Sequence, residues 1–171
     1  MSNKQTNRDN QQERSEHLFW YLSGFVDGEG SFNVSLRRNP GYKVGWQPVL
    51  SFNVSQKEKT VLILMQNCFE CGIIKRRKDG LHSYDMTNPK MIQEVIIPFF
   101  KKYQFFSKSK QENFLIFTKI VRLMSTKDHL TKTGFRKLLN LREKLNIGKG
   151  RTRKYTLKNV LKSSETIRQT Q

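Results

Sequence analysis

Leu22-Ser23-Gly24-Phe25-Val26-Asp27-Gly28-Glu29-Gly30 places two carboxylates and three glycines at the end of a run, His17 to Val26, that is almost wholly apolar or small. Such a run predicts a helix buried on most sides. The acids stand out in a chain with 32 Lys and Arg against 14 Asp and Glu. The stretch reads as a helix whose C-terminal end delivers an acid to a crowded place. Gly24 and Gly28, one turn apart, would form a flat strip that another helix can approach closely. The plainer alternative is a helix ended by glycine.

A length of 171 residues allows one domain with a sizeable core. The formal net charge is +18, with the excess of bases concentrated beyond residue 100. Such a balance suits a polyanion, most simply nucleic acid; a solvated basic surface or a ribosome-bound structural protein is the bland alternative. Cys68 and Cys71 are the two cysteines, and His17, His82 and His129 are scattered. A lone Cys-x-x-Cys without a second pair reads as helix-face packing rather than a zinc or redox site. No apolar run is long enough to span a membrane. The first residues resemble neither a secretory signal nor an acid-poor transit peptide. A bacterial cytoplasm, or an organelle that makes its own proteins, would suit such a chain, and secretion would not.

The elements that must position the acids follow from periodicity. A disordered tail is expected over 1–14, with Ser15 capping a helix that begins near Glu16. From Ser31 the period becomes two, with Phe32, Val34 and Leu36 against Asn33, Ser35 and Arg37. Asn39-Pro40-Gly41 turns the chain, and alternation resumes through Pro48, Leu50, Phe52 and Val54, giving an antiparallel hairpin. Pro48 argues for a free edge or a bulge there. Glu58 to Glu70 reads as an amphipathic helix ended by Gly72. Asp79-Gly80 signals a second hairpin between 73–78 and 81–87. Asn88-Pro89 opens a third helix, Ser107 to Met124 forms a fourth, and 133–145 a fifth. The fold class is α+β, with a four-stranded antiparallel sheet, helices on one face and a polar, basic face left open. Such a face suits the major groove of DNA. The expected domain spans 15–147, and a fraying basic tail spans 148–171.

Residues 22–30 resemble the signature of the LAGLIDADG homing endonuclease family: small residues at Ser23, Gly24 and Gly28, an acid at Asp27, and an acid-glycine end at Glu29-Gly30. The following Ser-Phe-x-Val strand and the α-β-β-α-β-β-α order agree, and the resemblance covers roughly 15–145. It implies a site-specific endonuclease that spreads an intron or similar mobile element. An idle DNA-binding regulator or an RNA-splicing maturase on the same scaffold is the alternative. One motif implies a homodimer, because cutting two strands needs two acids and a twofold axis supplies them. The implied interface is Leu22, Gly24, Phe25, Asp27 and Gly28, with Asp27 hydrogen-bonding at the helix ends.

The resemblance further implies Mg²⁺ held by Glu29 and the carbonyl of Gly28, with Gln56 and Lys108 organising water at the scissile phosphate. Thr60 stands where the family often has another base, and Lys59 just before it is the candidate substitute. Glutamate at position 29 departs from the usual aspartate by one methylene. The expected partner is double-stranded DNA, with no membrane and no small-molecule substrate. Its readers would be Asn33, Ser35, Arg37, Asn39, Tyr42, Gln47, Val49, Ser51 and Asn53 on the first hairpin, and Arg76, Lys78, Ser83 and Asp85 on the second. Bases of the C-terminal third would hold phosphates.

Overall fold

The computed structural model describes residues 2–147, 153–157 and 159–160, with residues 2–11 described as backbone alone. Helix α1 (Ser2–Glu29) leads directly into strand β1 (Gly30–Arg38), which a loop joins to β2 (Trp46–Gln56). Helix α2 (Thr60–Phe69) precedes β3 (Ile73–Arg76) and β4 (His82–Met86). A short α3 (Pro89–Met91) continues through a π-helical turn (Ile92–Ile96) into α4 (Ile97–Lys102). Helices α5 (Lys108–Ser125) and α6 (Lys132–Lys144) follow, separated by a 3₁₀ turn (Asp128–Leu130). The expected α+β class holds: the four strands form one antiparallel sheet in the order β1-β2-β4-β3.

Local chemistry explains most boundaries. Asn88 Oδ1 accepts from the amides of Lys90 and Met91, and Pro89 occupies the first turn. Thr131 Oγ1 accepts from the Gly134 amide and caps α6. Strand β4 pairs with β2 over Phe52–Gln56, so Pro48 lies where β2 has a free edge. Helix α2 ends with Glu70 in the left-handed region, and the turn passes through Gly72 at φ 87°. A methyl group on Gly72 would come within 2.5 Å of the Tyr84 ring, whose hydroxyl donates to the Cys71 carbonyl.

The core joins the helix-facing sides of the strands to the helices. Leu22 and Val26 of α1 pack with Phe32, Leu50, Phe52 and Val54 of the first hairpin, and with Phe100, Phe114 and Phe117 of the later helices. A second cluster joins Leu36, Val44 and Trp46 at the far end of that hairpin to Phe135, Leu139 and Val160.

Two expectations are corrected. Helix α1 begins at Ser2, so residues 2–14 are helical and Ser15 is not its start. The segment has no glycine or proline, and Lys, Gln, Glu and Arg favour helix even without an apolar face. The tail from 148 was expected to fray, yet 153–157 and 159–160 pack closely. The Tyr155 ring lies 4.7 Å from that of Trp46, and Val160 is fully buried. Three apolar side chains, Tyr155, Leu157 and Val160, are enough to cover the second cluster. Residues 148–152 and 161–171 of the expected tail lie outside the described residues.

Gly72 and Gly80 both have left-handed backbones, and Gly80 has open space around it. Gly80→Ala should cost about 1 kcal/mol of stability for the backbone alone. Gly72→Ala should cost at least about twice that, because the Tyr84 ring must also move. Urea unfolding of the two variants checks this; equal losses would show that the ring yields freely.

Candidate functional site

A polar stripe on α1 fixes where its acidic end points. Glu16 accepts from Lys102 Nζ at 2.8 Å and from the Tyr103 hydroxyl at 3.0 Å. The buried Ser23 hydroxyl donates to the Tyr103 carbonyl at 2.7 Å. Asp27 Oδ2 accepts from the amides of Phe106 and Ser107, each at 2.8 Å, and Oδ1 accepts from the Ser107 hydroxyl. Helix α5 therefore starts on the carboxylate of another helix, since the side chain of its own N-cap, Ser107, caps nothing. Burial pushes the Asp27 carboxyl up, but the Ser107 and Phe106 hydrogen bonds outweigh it and hold the group below the ordinary aspartate value, with Lys110 assisting.

Glu29 closes α1 and is exposed. The next residue, Gly30, packs so closely on the preceding turn that a Cβ would meet Val26 Cγ1 at 2.5 Å and the Val26 carbonyl at 2.7 Å. Glycine there allows the helix to pass into β1 without an intervening loop. Buried Lys110 of α5 donates to the Gly30 carbonyl. Gly30 pairs with Val54, which puts Glu29 and Gln56 at the same end of the first hairpin. Lys108 begins α5 directly after Ser107, whose amide is held by Asp27. Glu29, Gln56 and Lys108 are thus gathered at one end of the sheet by register and by the Asp27 cap. Lys59, three residues after Gln56, lines an open groove with Arg76 and with His82, the pairing partner of Gln56. Lys110 is not among the expected site residues; its inward position in the first turn of an amphipathic helix is the signal that marks it.

The open face of the sheet carries Ser35 and Arg37, both exposed, and Gln47, Val49, Ser51 and Asn53, each partly exposed. Three other expected readers are occupied. Asn33 is 8% exposed; it donates to Ser31 and Asn53 and accepts from Asn146 Nδ2, because Asn146 folds over this edge of the sheet. Asn39 donates to Gln47 Oε1 and accepts from the Gly41 amide, so it shapes the loop. Tyr42 packs on the second cluster, its ring 6.5 Å from that of His129.

On the second hairpin the register corrects the expectation by one residue. Ser83 pairs with Lys75 and Asp85 with Ile73, whereas Arg76 pairs with His82 on the helix side. A one-residue shift moves every side chain to the other face. Lys75 therefore shares the open face, bonded to Asp85 at 2.8 Å, and Arg77 reaches it by donating to Ser55 Oγ at 3.1 Å. Buried Ser83 donates to Asp85 at 2.6 Å. Lys78 is exposed in the turn beyond β3.

The expected interface residues also divide. Leu22 is fully buried in the chain's own core, and Asp27 is held by α5. Gly24 and Gly28 are exposed, and a Cβ at either would meet nothing within 4 Å. Phe25 is half-buried beside exposed Tyr21, and Trp20 leans on Phe106, which is 83% exposed. The open strip is therefore Tyr21, Gly24, Phe25 and Gly28. Away from it, burial pushes the Cys68 thiol up to about 11 and raises Cys71, so both favour the unreactive thiol. Among the described residues no three His, Cys, Asp or Glu side chains gather to hold a metal, and no helix is long and apolar enough to cross a membrane.

Residues 22–121 match the family model described as LAGLIDADG endonuclease. The chain belongs to the LAGLIDADG endonuclease family. It is 33% identical over 145 residues to "Probable intron-encoded endonuclease 2" of Neurospora crassa, covering 82% of this chain and 32% of that protein. It is 30% identical over 116 residues to the DNA endonuclease I-CreI of Chlamydomonas reinhardtii, covering 67% of this chain and 69% of that one. Among solved structures, I-SmaMI bound to cleaved DNA matches with a TM-score of 0.72 and 36% identity, covering 76% of this chain and 44% of that one. I-LtrWI bound to target DNA matches with a TM-score of 0.74 and 34% identity, covering 78% and 46%. The chain thus spans about a third of the Neurospora relative and under half of each solved chain.

The Asp27 cap gives a pH signature. Its folded carboxyl lies below the ordinary value, so its contribution is present above the unfolded value, about 3.9, and is lost as pH falls through the lowered folded value. Asp27→Asn should cost about 1 kcal/mol at neutral pH, through loss of the negative charge at the start of α5. That gap should close in strong acid, where the native carboxyl is protonated too. Thermal melts from pH 7 to pH 2 check this; a gap constant across the range would refute the charged cap.

Proposed function

We propose that two copies of this domain, paired through the open strip of α1, make a Mg²⁺-dependent double-strand cut in a long, pseudo-palindromic DNA site and so spread an intron or similar element. The observation that carries the reading is Glu29: an exposed carboxylate beside a helix face with open glycines, at the sheet end that also holds Gln56 and Lys108. Among the described residues Glu29 forms no ion pair. Relatives that cut DNA, or carry the name of intron-encoded endonucleases, support the same reading.

The donor set fits Mg²⁺. This ion takes one or two carboxylates, keeps waters and accepts phosphate oxygens, so a single Glu29 per copy suffices once DNA and a second copy are present. Glu29 and the Gly28 carbonyl would hold it, and when bound it would activate water and take up charge on the leaving oxygen. Lys108 neutralises the scissile phosphate. Gln56, with an amide that both donates and accepts, orients the attacking water. Arg37, Gln47, Ser51 and Asn53, with Ser35 and Val49 between them, face the base edges; arginine favours guanine and the amides favour adenine. The open face also carries Lys75 and Arg77.

Gly24 and Gly28 support pairing through α1. Glycine inside a helix costs about 1 kcal/mol relative to alanine. The chain's own packing does not require glycine at either position, since a Cβ would meet nothing. A closely approaching second helix does require it.

Purified protein should give a discrete cut in an insertion-site or randomised duplex library with Mg²⁺, and Glu29→Gln should lower that rate at least about a hundredfold while retaining DNA binding. Tight specific binding with no cut in any divalent metal would favour the regulator or maturase reading instead. Gly28→Leu should shift the protein from dimer to monomer in sedimentation while the monomer stays folded by circular dichroism. An unchanged dimer would exclude the α1 strip as the interface.

A further inference from the structure

The register that removes Arg76 from the open face places it in a groove of about 320 Å³ lined by Lys59, Ile74, Lys75, Arg76, Gly80 and His82. No carboxylate lines this groove. Of the two acids next to lining residues in sequence, Asp79 is bonded to Arg77 at 2.9 Å, and Glu58 beside Lys59 forms no ion pair among the described residues; Lys75 is bonded to Asp85. Lys59 and Arg76 form no ion pair among the described residues. His82 Nδ1 lies 3.0 Å from the Lys57 carbonyl, which can only accept, so Nδ1 carries a proton and Nε2 is the nitrogen left over. His82 pairs with Gln56, so the groove adjoins the end of the sheet that holds Glu29. Two cations without acidic partners in one concave wall face the repulsion of their own charges, which an anion relieves.

We propose that Lys59 and Arg76 form an anchor for a backbone phosphate of DNA, flanking the cutting site and indifferent to base sequence. This deepens the reading above and rests on DNA being the ligand. The anchor fixes the register of the duplex beneath Glu29, while Arg37 on the open face reads bases. Phosphate contacts position and base contacts specify, so the two kinds of residue have different signatures.

The test is a salt titration of binding to several duplexes, matched and mismatched to the preferred site. Arg76→Ala should weaken binding equally on all of them and reduce the slope of log affinity against log salt by about 1. Lys59→Ala with Arg76→Ala, which frees the one anchored phosphate in each of the two copies, should reduce it by about 2. Arg76→Lys should restore the slope, since a point charge serves a phosphate, and melting curves confirm that each variant is folded. Arg37→Ala should instead change preference at particular base pairs. An unchanged slope in folded Arg76→Ala, or a preference altered at single base pairs, would overturn the anchor while leaving the endonuclease reading intact. A native chain with no salt-dependent affinity for any duplex would overturn both.

Discussion

The contact on which the site depends is the meeting of two helix ends through Asp27. The C-terminal end of α1 carries the negative end of its dipole, and the N-terminal end of α5 the positive end. One carboxylate joins them by accepting two amides and a hydroxyl from Phe106 and Ser107. Glu16 and Ser23 lie on the same stripe of α1 and grip Lys102 and Tyr103, so the linker from α4 to α5 is tied at three levels. Position and direction of α1 follow. Asp27 turns inward and is spent on structure, which leaves Glu29, two residues on, directed away from it. The spacing of the two acids therefore commits Asp27 to structure and leaves Glu29 exposed.

The same helix α5 helps to close the sheet. Strand β1 is an edge strand, and unpaired edge carbonyls invite another chain. Here three successive outward carbonyls are occupied by side chains: Gly30 by Lys110, Phe32 by Asn146 at 2.8 Å, and Val34 by Arg142 at 2.9 Å. Arg142 also donates to the Tyr155 carbonyl, and Arg153 to that of Leu145, so the segment after α6 is bound into the same edge. A second copy thus finds no strand to extend on β1. The strip of α1 around Gly24 and Gly28 stays open, and the β1 edge is held by the chain's own side chains.

The sequence made the fold legible where local signals agree. Alternation in 31–37 and 48–54, Asp79-Gly80, and Asn88-Pro89 each name an element and its direction. The position of Glu29 at the end of α1 was legible from its context, while Gln56 and Lys108 were named as its companions only through the family resemblance. What was not legible depends on contacts distant in sequence. Four consecutive bases, Lys75 to Lys78, carry no alternation, so only pairing with β4 shows that Lys75 and not Arg76 shares a face with Asp85. Asn33 has the pattern of an outward residue, yet Asn146, 113 positions away, covers it. Tyr155 and Val160 lie among bases that read as a tail, and only Trp46 gives them something to cover. Asp27 could be assigned to structure but not to its partner, which lies 80 residues further on.

Among the described residues, Glu29 has no counterweight of the kind that Asp27 finds in α5. It sits at the negative end of α1, where acids are disfavoured, and the last turn of that helix contains no base. Asp27 meets the same disadvantage and is compensated by α5. Nothing described compensates Glu29, and a second copy paired through Gly24 and Gly28 would bring a second carboxylate near the first and add repulsion. A helix end so arranged is poorly suited to structure and well suited to a cation. On the proposed reading the surrounding bases would serve phosphates, and a lysine on Glu29 would neutralise the group that holds the metal. A divalent ion held by Glu29, as proposed, would offset the dipole and reduce the repulsion between two such acids.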